Sequence, residues 1–137
     1  MKNKILSLIT LLVFISFSFQ GKAQKNSQKI TPKTSNIEVI QFHSEHRCMT
    51  CLKIEKLSRA TLTNYFSTIP FKLVNVDEDK NAKLAEQFEA TGTALFLFDP
   101  KTGRKKDLTD FAFIKAGNEK SFDLELKKHI ENFQKGL

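Results

Sequence analysis

Apolar residues recur along this chain with two different periods, and the order in which the periods alternate restricts the fold more than any other feature. Short runs rich in β-branched and aromatic residues are typical of strands, and longer runs with apolar residues every three or four positions are typical of helices. The predicted strands cover residues 37–42, 71–76, 93–98 and about 106–114. The first predicted helix runs from about Cys48 to before Pro70, the second starts at the acidic segment 77–79 and runs to about Phe88, and the third covers about 121–134. Their order is β-α-β-α-β-β-α.

The connections between these elements predict how the strands pair. A helix joins the first strand to the second, which favours a parallel pair with a right-handed crossover. The Asp-Pro-Lys-Thr-Gly sequence at residues 99–103 is a strong turn signal, and it predicts an antiparallel hairpin for the third and fourth strands. We therefore expect an α/β fold in which helices cover both faces of a central four-stranded mixed sheet.

Two local patterns add detail to this prediction. The acidic segment 77–79 is expected to cap the second helix, because carboxylates accept hydrogen bonds from the N–H groups at a helix start. The last helix carries apolar residues at steps of four, four and three, namely Phe122, Leu126, Ile130 and Phe133. This stripe, together with most of the thirteen phenylalanines of the chain, is predicted to form the core.

Residues 1–23 have the pattern of a secretory signal peptide. Lys2 and Lys4 precede a run of about fifteen apolar or small residues, and Gly21 and Ala23 then place small residues at positions −3 and −1 of a cleavage site. The run is short for a membrane span, which needs roughly 20 residues. We therefore expect export to the periplasm or another extracytoplasmic compartment, with an uncleaved N-terminal anchor as the alternative.

The export prediction changes how the charge is interpreted. The formal net charge is +7, but six lysines and no acidic residue lie before residue 37. Residues 24–36 are polar and are predicted to be a flexible leader. The predicted single domain, residues 37–137, carries only about one net positive charge. Nucleic-acid binding usually requires a basic face on the fold itself, so we expect no nucleic-acid partner.

Cys48 and Cys51 lie where the first predicted strand ends and the first helix begins. A helix start presents unpaired N–H groups and a partial positive charge, which stabilise a thiolate and lower the pKa of a thiol there. Arg47 and, when protonated, His46 add positive charge beside it. Because the second cysteine follows one helical turn later, the spacing suits a disulfide. Cys48 is predicted to attack as the thiolate, and Cys51 to resolve the mixed disulfide.

The cysteine pair has other possible uses. A static structural disulfide is one alternative. A metal site is another, because His43, His46, Cys48 and Cys51 lie within nine residues and offer ligands that suit zinc or copper(I). The two thiolates alone could also capture a soft metal ion or arsenic(III). The sequence contains neither a G-x-S-x-G nucleophile elbow nor a glycine-rich phosphate loop.

The pattern of the domain resembles thioredoxin over residues 38–133. The two cysteines stand at the thioredoxin redox positions. The Val-Asn-Val-Asp segment at 74–77 is similar to the end of the second thioredoxin strand. The Leu-Ala-Glu-Gln-Phe segment at 84–88, followed by Gly92, is similar to the second helix and the turn beyond it. The resemblance implies a thioredoxin-like fold with a redox-active dithiol.

A closer resemblance concerns the residues around the dithiol. Phe42-His43 and the segment Arg47-Cys48-Met49-Thr50-Cys51 resemble the thioredoxin-like family known as the nitrophenyl compound nitroreductase subunit. That resemblance implies a reducing role beside a partner protein.

The sequence departs from the thioredoxin pattern at three places. Ala94, after Thr93, stands where thioredoxins have the cis-proline that shapes the substrate groove and discourages metal binding. A cis bond without proline costs ~2.5–4 kcal/mol, so we expect a trans peptide there. The place of the buried acid on the first strand is taken by Gln41 or Phe42, neither of which titrates. Met49-Thr50 replaces Gly-Pro between the cysteines.

The function expected from these features is that of an exported thiol-disulfide oxidoreductase. It would act as a monomer on protein thiols or disulfides, with no cofactor beyond its own dithiol. The alternatives are a binding module for a soft metal ion or arsenic(III), and an accessory redox subunit of a membrane reductase or nitroreductase partner.

Overall fold

The computed structural model describes residues 37–136, and the predicted signal peptide and leader lie outside this range. The strands are β1 (Glu38–His43), β2 (Phe71–Asn75), β3 (Ala94–Asp99) and β4 (Arg104–Asp107). The α-helices are α1 (Met49–Tyr65), α2 (Ala82–Phe88), α3 (Thr109–Lys115) and α4 (Glu119–Lys135), and a 3-10 turn, Asp79–Asn81, precedes α2. Within the described range, none of the helices combines the length and apolar character needed to cross a membrane.

The four strands form one mixed sheet in the order β2-β1-β3-β4, which confirms the predicted α/β class. The β1–β2 pair is parallel, with Val39 opposite Phe71. The β1–β3 and β3–β4 pairs are antiparallel, and Phe42 lies opposite Ala94 in the first of them. The predicted parallel β1–β2 pair and antiparallel β3–β4 hairpin are therefore both present, and β1 and β3 occupy the centre of the sheet.

Alternate residues of the two central strands supply two separate cores, one on each face of the sheet. Val39 and Leu97 face a core shared with α1, α3 and α4, to which α4 contributes its whole predicted stripe of Phe122, Leu126, Ile130 and Phe133. Ile40, Phe42 and Phe96 face a smaller core around Phe88 of α2. Burial on both faces explains why the central strands are apolar almost throughout, and it confirms that helices cover both sides.

The fourth strand is shorter than predicted, and the prediction of a strand over residues 106–114 is wrong for most of that range. Strand β4 ends at Asp107, and a helix not foreseen from the sequence, α3, follows. Leu108, Ala112 and Ala116 are the buried positions here, at steps of four. The helical period of these small and apolar residues outweighs the strand preference of the phenylalanines between them.

The predicted cap of the second helix is also wrong. The α2 helix begins at Ala82, and neither Asn81 at its start nor Glu78 before the 3-10 turn makes a side-chain capping hydrogen bond. Asp77 instead accepts a hydrogen bond of 2.7 Å from the backbone N–H of Glu45. The Asp77 carboxylate thus links the loop after β1 to the loop after β2 by a hydrogen bond.

Candidate active site

Cys48 occupies the N-cap position of α1, directly before the first helical residue. Its backbone is extended, with φ −74° and ψ 160°, and its carbonyl accepts the first helical hydrogen bond from the Leu52 N–H. The Sγ atom lies 3.2 Å from the backbone N–H of Cys51, which donates to it. Sulfur thus takes the place that a serine or aspartate oxygen usually fills at a helix start.

The two cysteines form a disulfide across the first turn of α1, with their Cα atoms 5.2 Å apart. That separation lies within the usual range of about 4.4–6.8 Å. Helical backbone from Met49 onward sets the distance, because residues three apart lie on the same side of a helix. The predicted pairing of the cysteines is present.

The two cysteines differ in their exposure to solvent. Cys48 is exposed, whereas Cys51 retains 5% of its accessible surface and belongs to the core side of α1. An incoming group therefore reaches the disulfide at Cys48. The roles assigned to the two cysteines from the sequence, attack by Cys48 and resolution by Cys51, stay a prediction.

Two side chains from neighbouring strands and loops hold Cys51. The Thr93 Oγ1 atom, just before β3, lies 3.0 Å from the Cys51 Sγ atom. The Gln41 side-chain amide, from the middle of β1, donates a hydrogen bond of 2.9 Å to the Cys51 carbonyl. The buried sulfur is therefore contacted by a hydroxyl group, while the main chain beside it is held by a neutral amide.

The structure decides between Gln41 and Phe42 for the strand position next to the dithiol. Gln41 is fully buried and faces α1, whereas Phe42 points to the opposite core, where its ring lies 5.3 Å from that of Phe88. The residue beside Cys51 is thus an amide that does not titrate. Its Oε1 atom is buried and has no hydrogen-bond partner within the described residues.

Arg47, predicted to add positive charge next to Cys48, is engaged elsewhere. Its guanidinium lies 2.7 Å from the carboxylate of Glu55, and Arg59 contacts the same carboxylate at 2.8 Å. Burial raises the pKa of Glu55, but hydrogen bonds from the two arginines outweigh this and hold it below its ordinary value. Arg47 and Arg59 therefore share one carboxylate, and the guanidinium of Arg47 is paired with Glu55.

The two histidines near the dithiol are not assembled with it into a metal site. The His43 Nδ1 atom donates to the Ser44 carbonyl at 2.8 Å, and His46 lies exposed in the loop. Among residues 37–136, no group of three or more His, Cys, Asp or Glu side chains is placed to hold a metal ion. The described arrangement thus does not bring the four predicted ligands together.

Two stretches of accessible surface lie near residues that adjoin the dithiol. A groove of about 730 Å³ includes Thr93 and Ala94 in its wall and extends to Lys105 and Asp107. On the α1 side, Met49 exposes 80% of its surface next to Cys48. The exposed Cys48 thus has an exposed neighbour in Met49, and the wall of the groove includes Thr93, the residue whose hydroxyl contacts Cys51.

The peptide bond between Thr93 and Ala94 is trans, as predicted, since the described residues contain no cis bond. Ala94 begins β3, opposite Phe42 of β1. The sequence identified Thr93 and Ala94 by their position only. It did not foresee the contact of the Thr93 hydroxyl with the Cys51 sulfur or the bond from Gln41. The one available signal for the latter was a polar residue inside an otherwise apolar strand.

No family model matches the chain, and no curated protein matches it. Among solved structures, a chain described as "Structure of a malarial protein" is similar, with 24% identity and a TM-score of 0.41. The similarity covers 59% of this chain and 96% of that one. Likeness at this level carries no functional information, so function has to be inferred from the geometry of the dithiol.

Proposed function

We propose that this chain is an exported, thioredoxin-like thiol-disulfide oxidoreductase that exchanges disulfides with protein partners through Cys48. The observation that carries the proposal is the asymmetric disulfide at the start of α1. Cys48 is exposed and its sulfur accepts a backbone N–H at 3.2 Å, whereas Cys51 is buried. A static structural disulfide has no need of an exposed sulfur at a helix N-terminus, where the thiolate form is stabilised.

The exchange proceeds in two balanced steps when the protein is oxidised. A partner thiolate attacks the Cys48 Sγ atom, the bond to Cys51 breaks, and Cys51 leaves as the thiolate. A second thiol of the partner, once deprotonated, then attacks the partner sulfur of the mixed disulfide, the bond to Cys48 breaks, and Cys48 leaves as the thiolate. The partner ends with a disulfide and this protein with two thiols. The same steps in reverse let the reduced protein reduce a partner disulfide.

The strand order and the placement of the dithiol support the thioredoxin-like part of the proposal. The four-stranded mixed sheet, with its parallel β1–β2 pair and its antiparallel β3–β4 hairpin, is consistent with the resemblance. The dithiol follows β1, and the segment that opens β3 lies opposite it, as the cis-proline segment does in thioredoxins. Export is supported by the disulfide itself, because such bonds persist mainly in oxidising compartments.

An insulin-reduction assay driven by dithiothreitol tests this function. We expect residues 24–137 to accelerate insulin precipitation, the Cys48→Ser variant to be inactive, and the Cys51→Ser variant to accumulate mixed disulfides with insulin chains. A wild-type rate equal to that of Cys48→Ser would reject the proposal.

A further inference from the structure

Each sulfur of the disulfide has its own hydrogen-bond donor. The Cys48 Sγ atom accepts from the Cys51 backbone N–H at 3.2 Å, and the Cys51 Sγ atom lies 3.0 Å from Thr93 Oγ1. Neither sulfur of a disulfide carries a proton. The Thr93 hydroxyl must therefore be the donor in its contact, and its hydrogen points at the buried sulfur.

We propose that Thr93 is a third catalytic residue, which stabilises the negative charge that forms on Cys51 when the disulfide opens. The inference rests on the proposed function. When a thiolate attacks Cys48, the electron pair of the broken S–S bond passes to the Cys51 sulfur, where the hydroxyl already donates. A hydrogen bond to an ionised acceptor is roughly twice as strong as one to a neutral acceptor, so the contact strengthens as the charge develops.

The same contact serves the reverse direction. When Cys51 attacks a mixed disulfide, it reacts as the thiolate, and a hydroxyl donor raises the fraction of thiolate at a given pH. Thr93 thus aids both formation and resolution of the mixed disulfide, and its removal slows both.

No other described side chain is placed to do this. Gln41 is neutral, and its amide donates to the Cys51 carbonyl rather than to the sulfur. Glu55 follows Cys51 by one turn of α1. Its carboxylate is paired with Arg47 and Arg59. Gly92 and Ala94, on either side of Thr93, carry no polar side chain. Among the described side chains, the Thr93 hydroxyl is therefore the donor that contacts the buried sulfur.

The pKa of the Cys51 thiol, measured in a Cys48→Ser background by the ultraviolet absorbance of the thiolate, tests the inference. Thr93→Val removes the hydroxyl at nearly constant shape and should raise that pKa by about one unit. Thr93→Ser keeps the donor and should stay close to the parent. Thr91→Val makes the same substitution at an exposed position two residues earlier, and serves as the matched control. A shift for Thr93→Val no larger than that for Thr91→Val would overturn the inference.

A kinetic measurement on the protein with both cysteines completes the test. Thr93→Val should slow reduction of the disulfide by dithiothreitol by roughly tenfold, with an unchanged thermal unfolding midpoint, and Thr93→Ser should restore the rate. An unchanged rate would overturn the role of Thr93. The two proposals fail separately. If the protein is inactive toward insulin but the Cys51 pKa still changes in Thr93→Val, only the oxidoreductase function is refuted. If the protein is active and the Cys51 pKa does not change in Thr93→Val, only the role of Thr93 is refuted.

Discussion

The side chain of Gln41 reaches from the centre of β1 to the first turn of α1, where its amide donates to the Cys51 carbonyl at 2.9 Å. Gln41 is fully buried and uncharged at every pH. The thioredoxin pattern has a titrating acid at this position, which assists proton transfer to and from the second cysteine. Here the side chain donates to the main chain of the dithiol. Under the proposed function, proton transfer to and from Cys51 would involve other groups.

Replacing Gln41 with glutamate should therefore make stability depend on pH. Burial raises the pKa of a carboxyl, and only the protonated acid can still donate to the Cys51 carbonyl. Because the folded state then binds the proton more tightly than the unfolded state, stability falls as pH rises above the unfolded pKa of about 4.3. The loss is about 1.4 kcal/mol per pH unit until the folded pKa is reached.

Urea unfolding of Gln41→Glu at several pH values, relative to the parent protein, measures this effect. Gln41→Leu loses the same hydrogen bond without adding a titrating group, so its destabilisation should be the same at each pH. Parallel pH profiles for the glutamate and leucine variants would contradict the prediction.

The reduced protein should be alkylated at Cys48 much faster than at Cys51. Cys48 is exposed and its sulfur accepts a backbone N–H, whereas Cys51 exposes 5% of its surface. We expect a rate ratio of at least about tenfold with iodoacetamide, because both access and thiolate fraction favour the first cysteine. Peptide mapping by mass spectrometry after timed quenching gives the two rates, and urea-unfolded protein provides the reference in which they converge. Equal rates in the folded protein would refute the assigned roles.

Truncation of the α4 stripe should be costly, while an exposed position of the same helix should tolerate it. Ile130 is fully buried between α4 and the sheet, and Ile130→Ala should lower the free energy of unfolding by about 2–5 kcal/mol. Leu124 exposes 55% of its surface, and Leu124→Ala should change the free energy of unfolding by no more than about 0.5 kcal/mol. Denaturant titration measures both. Similar costs at the two positions would show that the stripe is not what packs α4 onto the core.

The sheet and its two apolar faces could be predicted from the sequence because the patterns there are strong and local. The strands β1 and β3 carry nearly continuous apolar runs, and the turn residues at 99–103 allow little besides a hairpin. The segment after β4 was predicted wrongly because Phe111 and Phe113 suggest a strand, whereas the pattern that decides is the burial of Leu108 and Ala112 one helical turn apart. Short segments with both periods are ambiguous until the rest of the fold is known.

The cysteines of the site could be predicted, but the side-chain contacts they make could not. Cys48 and Cys51 are neighbours in sequence, so local helix geometry sets their distance. Thr93 reaches Cys51 across 42 positions of the chain, and only the pairing of β3 with β1 brings them together. Arg47 was expected to act on the thiolate, but a carboxylate two helical turns away, Glu55, holds its guanidinium.

The pairing of Glu55 should contribute stability that acid removes. Hydrogen bonds from Arg47 and Arg59 hold the pKa of Glu55 below its ordinary 4.5, despite the opposing effect of burial. The folded carboxyl therefore binds a proton less readily than the unfolded one, and its contribution is present above pH 4.5 and is lost as pH falls through the lower folded pKa. Glu55→Gln should cost about 0.5–1 kcal/mol near neutral pH and less in acid. Urea midpoints across this range measure the difference, with the exposed Glu86→Gln as control. A cost that does not shrink in acid would contradict the assignment.

The contact between α1 and α4 can be followed through a single chromophore, because Tyr65 is the one tyrosine of the chain and tryptophan is absent. Its hydroxyl donates to Asp123 Oδ2 at 3.0 Å. That hydrogen bond and the charge of the carboxylate raise the pKa of Tyr65, since the phenolate would lose the bond and face a like charge. Asp123→Asn should move the pKa back toward its ordinary value of 10.0, as measured by absorbance during alkaline titration. Asp110 is an exposed acid on α3, so Asp110→Asn should leave the Tyr65 pKa unchanged. An unshifted Tyr65 pKa in Asp123→Asn would show that the two helices do not meet there.

Titrating the oxidised and reduced parent proteins in the same way tests whether opening the disulfide at one end of α1 loosens the other end. We expect identical curves, because Thr61, one turn before Tyr65, is buried and also donates to Asp123, at 2.8 Å.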